Sequence, residues 1–162
     1  MAKAKIQAKY TAGLKKSTAD KRKAEFRKRI EGKVKGKEQY KPVAGDKTAK
    51  TKPSKYTLSM GKTREKILVQ AGKEKGTQNE RFISAVSKVT KIPRNIIKQV
   101  FNRGMQAWTT GHRAGASQAA WARARVYSFL QKGNTVTKGA DTALYMQAKE
   151  ALKGKDSEFR LK

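Results

Sequence analysis

Between Arg81 and Ala140 the sequence carries eleven basic residues and no aspartate or glutamate. That imbalance is where its chemistry would lie. The cations are Arg81, Lys88, Lys91, Arg94, Lys98, Arg103, Arg113, Arg123, Arg125, Lys132 and Lys138. An ordinary solvated surface mixes both signs. A surface of one sign suits phosphate, because each phosphate neutralised by Lys or Arg releases condensed counterions. Lys91, Arg94, Lys98, Arg103, Arg113 and Arg123 are the expected nucleic-acid or anion contacts. The plainer alternative is a basic face that only keeps the protein in solution.

Within the stretch, residues 82–103 read as a candidate helix-turn-helix, with Thr90-Lys91-Ile92-Pro93 as the turn. The second helix would present Arg94, Asn95, Lys98, Gln99 and Asn102 away from the core. Arg, Asn and Gln are the side chains that pair bidentately with base edges, although two short helices joined by a tight turn also occur in any helical bundle. The glycine-rich loop Gly111–Ser117 holds the only histidine, His112, beside Arg113. Next to a helix start this could form an anion site; the plainer reading is that His112 bonds the backbone and braces the loop. Arg125 reads as structural, paired with a helix end or packed on a ring. Trp108 and Trp121 could stack on bases, but their helical spacing puts them in the core, together with Phe101 and Phe129.

Catalytic signatures are missing. There is no glycine-rich loop ending in Lys-Ser/Thr, no metal-ligand spacing, no cysteine and one histidine, which leaves little for acid–base or nucleophilic work. The expectation is a non-enzymatic protein with no catalytic residue, metal or cofactor.

Helices must position these side chains. Apolar residues recur at helical spacing in Thr63–Ala71 (Ile67, Leu68, Ala71) and in Thr77–Val89 (Phe82, Ile83, Val86, Val89), the latter with a capping box of Thr77 and Glu80. They recur again from Pro93 to Gly111, from Ser117 to Gly133, and after Asp141, which reads as a helix cap. No stretch alternates with period two. The expected fold is all-α: a small bundle of four to five short helices over residues 63–153, with the core around Trp108 and Trp121 and a tail at 154–162. Residues 1–62 hold 20 Lys/Arg and 5 Asp/Glu with few large apolar residues, so they read as a long, basic, largely extended arm and linker, unable to bury enough surface to offset its ordering entropy. One helix is expected there, Ser17 to Gly32.

The chain of 162 residues has a formal net charge of +28, and a compact domain so charged repels itself unless a polyanion offsets it. A membrane surface is the rival partner, but the basic N-terminal region lacks the bulky apolar face that an interfacial helix needs. No run approaches a spanning helix, and Met1–Tyr10 has no apolar signal core.

The run Ile92–Leu130 resembles an uncharacterised family of small basic proteins of tailed phages, notably those of cyanobacteria, and of large DNA viruses of algae. The likeness is carried by Arg103-Gly104, Trp108, Gly111, Arg113, Gly115, Trp121, Ala124, Arg125 and Ser128, and more loosely by Tyr10, Gly13–Lys16 and Lys52–Tyr56. Ala114 stands where that pattern often has proline. The resemblance implies a viral setting: a minor capsid or genome-associated virion component, made in the host cytoplasm before assembly. Its expected partners are nucleic acid, DNA rather than RNA, or other virion proteins such as the major capsid protein. A DNA-binding protein outside the virion, using residues 82–103, is the alternative; a ribosome- or RNA-associated protein is a third.

Overall fold

In a computed structural model the structure describes residues 3–155 and 161. Their regular elements are all helices, with no strand among them. The helices are α1 (Lys16–Ile30), α2 (Lys55–Ser59), α3 (Gly61–Lys73), α4 (Gln78–Thr90), α5 (Arg94–Thr110), α6 (Gln118–Leu130), α7 (Asn134–Thr137) and α8 (Thr142–Leu152). Most of the expected tail at 154–162 lies outside the described residues.

The chain divides into two compact units, and not at residue 62. One is the chain up to Lys52 with Met105–Trp121; the other is Pro53–Gly104 with the chain from Ala122 on. Long helices α5 and α6 each contribute to both.

The first unit contradicts the extended arm. Its α1 spans 15 residues, and short 3-10 turns at Ala8–Tyr10 and Gly36–Tyr40 flank it. Composition favoured an arm because α1 is polar nearly all round; only Arg22 and Phe26, four residues apart on one face, are buried. Aromatic rings supply what aliphatic residues do not. Phe26 meets Tyr10 at 6.1 Å and the His112 ring edge-on at 5.2 Å, and Tyr10 meets Trp121 at 6.0 Å. Arg27, Lys28 and Arg29 occupy the last turn, where cations suit the helix dipole.

The second unit holds most of the aliphatic core. The capping box at Thr77 and Glu80 forms as expected, and Phe82, Ile83 and Val86 turn inward from α4. Ile96, Ile97, Val100 and Phe101 of α5, Val126, Phe129 and Leu130 of α6, and Leu144 and Tyr145 of α8 are buried too. Phe82 stands 6.0 Å from Phe101 and 5.7 Å from Tyr127; Phe129 stands 5.6 Å from Tyr145. The expected core thus falls in two places: Trp108 and Trp121 in the first unit, Phe101 and Phe129 in the second. Trp121 is only half-buried. Leu68, expected inside, is 48% exposed, because Ile67 takes the inward position and the next residue points 100° away.

Two backbone features matter below. Gly104 brings α5 against α6: a Cβ there would lie 2.7 Å from the Ala122 Cα. Lys91 ends α4 in the left-handed region with φ 66°, and Lys132 follows α6 with φ 54°, where an L side chain costs about 1 kcal/mol relative to glycine.

Gly104→Ala should cost about 1–3 kcal/mol, because backbone rather than a flexible side chain blocks the new methyl. Urea denaturation would show a lower midpoint with an unchanged m-value.

Candidate nucleic-acid interface

The surface is basic because cations far outnumber acids, and two of the acids, Asp46 and Asp141, are turned inward. Asp46 has its side chain 8% exposed and Asp141 is fully buried. Each is the centre of a polar cluster in its own unit.

Asp46 is reached from four sides. Its Oδ1 accepts from Arg22 Nη1 at 2.7 Å and from the Gly115 amide at 3.1 Å. Its Oδ2 accepts from His112 Nε2 at 2.8 Å and from the Val43 amide at 3.0 Å. Arg22, with no exposed surface, donates further to the carbonyls of Tyr10, Ala44 and His112. His112 Nδ1 lies 2.7 Å from the Trp108 carbonyl, and its ring stacks on Trp108 at 4.1 Å. A carbonyl can only accept, so Nδ1 faces it as the donor. Burial pushes the Asp46 carboxyl up, but the hydrogen bond and charge of His112, with the bonds from Val43 and Arg22, outweigh it and hold the group at about 2.

Asp141 plays the matching part in the second unit. It was expected to cap α8, but its side chain makes no cap bond. Instead its Oδ1 accepts from Arg103 Nη1 and Arg125 Nη2, each at 3.0 Å, and its Oδ2 from Arg125 Nε at 2.9 Å. Burial raises its carboxyl, and the two arginines draw it down by more. Helix α8 takes its first intrahelical bond through the Asp141 carbonyl.

The expected contacts now sort themselves. Arg125 is structural, as its setting among apolar residues suggested. Arg103 shares its carboxylate and also donates to the Ala140 carbonyl at 2.7 Å. Lys91, Arg94 and Lys98 are exposed around the start of α5, and Arg123 is half-buried on α6. Arg113 is exposed in the first unit. His112 braces the loop as read, but it is fully buried against Asp46, so it is no part of an anion site. Arg22 and Asp46 are the residues that sequence reasoning missed. The one signal was Arg22 lying a helical turn from Phe26, on the only apolar side α1 has.

Along the first half of α5 the two faces separate cleanly. Ile96, Ile97, Val100 and Phe101 are buried, whereas Arg94, Asn95, Lys98, Gln99 and Asn102 are exposed. At 100° per residue these five cover an arc of about 140°. Among the described residues no helix is long and apolar enough to cross a membrane, and no group of three or more His, Asp or Glu is placed to hold a metal ion.

Fold and surface together define a small, all-helical, cation-rich protein built on inward-facing carboxylates. The chain belongs to a family of unknown function, DUF5824, whose model matches residues 7–147. No curated protein and no solved structure matches it.

Asp46→Asn leaves Arg22 buried without a counter-charge and should cost about 3–5 kcal/mol. Because the folded carboxyl titrates below its unfolded value, its stabilisation is complete above about pH 4 and is lost as pH falls towards 2. Denaturation midpoints followed from pH 6 to pH 2 should therefore fall more steeply for the wild type than for Asp46→Asn.

Proposed function

We propose that this protein is a non-enzymatic, genome-associated component of a virion that binds nucleic acid through its cationic surface. One observation carries the reading. Asp46 and Asp141 are spent on internal arginines and histidine, while exposed cations outnumber exposed carboxylates across both units. Other acids are held locally as well: Glu31 by Lys33, Glu38 by Lys41, Glu74 by Lys88 and Glu150 by Lys153. What faces outward is predominantly positive, and phosphate is the partner that rewards it. The viral setting is supported by the resemblance of Ile92–Leu130 alone.

The test is duplex affinity against salt. A protein contacting six to ten phosphates loses about 10³–10⁵ in affinity between 50 and 200 mM salt. Fluorescence anisotropy with a labelled duplex should show a loss of that order; no binding, or binding indifferent to salt, would remove the nucleic-acid part. Mass spectrometry of purified, nuclease-treated particles should find the protein at a reproducible copy number. Its absence from particles would remove the virion part and leave a nucleic-acid-binding protein of the infected cell.

A further inference from the structure

Three observations converge on the start of α5. Its exposed arc from Arg94 to Asn102 carries two cations and three amides but no carboxylate, and exposed Lys91 lies beside it in the sequence. Asn95 and Asn102 sit in the helix pointing to solvent, where asparagine is a poorer helix former than Lys, Glu or Gln. Lys91 holds a left-handed backbone that glycine would adopt freely. Arg94 is also oriented: its Nε donates to Ser84 Oγ of α4 at 3.0 Å, a bond that does not use the two Nη groups of the fork.

We infer that this arc docks in the major groove of duplex DNA. Lys91 and Lys98 contact phosphates; Arg94, Asn95, Gln99 and Asn102 reach base edges. The dimensions agree. Eight helical rises span about 12 Å, and the B-form major groove is about 12 Å wide and admits an α-helix. Arginine pairs with guanine O6 and N7, and amides with adenine N6 and N7. The A-form major groove of RNA is too narrow for side chains to read, which commits the partner to DNA. The inference rests on the nucleic-acid reading above and adds the surface, the duplex and the mode of contact.

Two variants of the full chain separate these claims. Asn95→Ala, Gln99→Ala and Asn102→Ala combined leave the charge unchanged and favour the helix. Selection from a random duplex pool should enrich a short motif with the wild type. The triple variant should bind random duplex with an unchanged salt slope but lose at least tenfold in preference for that motif. Lys91→Gly should raise Tm by about 2–4 °C and lower the salt slope by about 0.9, one phosphate contact. A steep salt slope with no enriched motif would overturn the groove reading and leave the general nucleic-acid reading standing. So would duplex RNA bound as tightly as duplex DNA, a triple variant that keeps the motif, or an unchanged slope in Lys91→Gly. No binding of any duplex by the wild type would end both.

Discussion

A chain with 40 basic residues and 12 acidic ones can fold only if its few carboxylates are placed where they offset the most repulsion. Each unit does this with one buried aspartate. Asp46 accepts four hydrogen bonds, one for each lone pair a carboxylate offers. Asp141 gathers two guanidinium groups. Burying an ion pair is costly unless every remaining donor and acceptor is met. The Asp46 cluster comes close to that condition, because Arg22 spends three more of its donors on backbone carbonyls.

The same constraint divides labour between the two cation types. Every buried or half-buried cation but one is an arginine among the described residues. Arg22, Arg27, Arg29 and Arg103 donate to backbone carbonyls, and Arg29 also lies over the Trp108 ring at 5.8 Å. Its planar fork satisfies several acceptors at once and sheds water more readily than an ammonium. Lysine works outside: most lysines are exposed. A strongly hydrated point charge on a flexible stem matches phosphates without demanding one geometry. The second unit could rely on aliphatic packing, so its exposed face was free to carry other chemistry.

What the sequence revealed follows from how each unit is held together. Helices α4, α5 and α6 were legible to within a residue or two, because an apolar stripe, the Thr77 capping box, Pro93 and Ser117 all mark the same boundaries. The exposed arc of α5 was legible for the same reason: once the buried stripe is known, the opposite face follows. The first unit was not legible. It is ordered by pairings between residues far apart in sequence, Arg22 with Asp46 and Asp46 with His112, and such pairings leave no periodic trace. Short helices α2 and α7, of 5 and 4 residues, fall below the length at which a pattern can be recognised. Asp141 misled in an instructive way, since a residue suited to a cap is equally suited to a buried ion pair.

The bond from Arg22 to the His112 carbonyl closes a loop of 90 residues, and its consequence belongs to synthesis on the ribosome. The first unit is incomplete until Met105–Trp121 has been translated. At roughly 5–20 residues per second, the nascent chain spends several seconds as an unneutralised polycation emerging beside ribosomal RNA. In that interval α3 and α4, neighbours in the chain that pack on one another, can already pair, while the rest of the second unit waits for Ala122 and beyond. Arg22 and Asp46 gain their remaining partners only when His112 and Gly115 arrive to complete the shell.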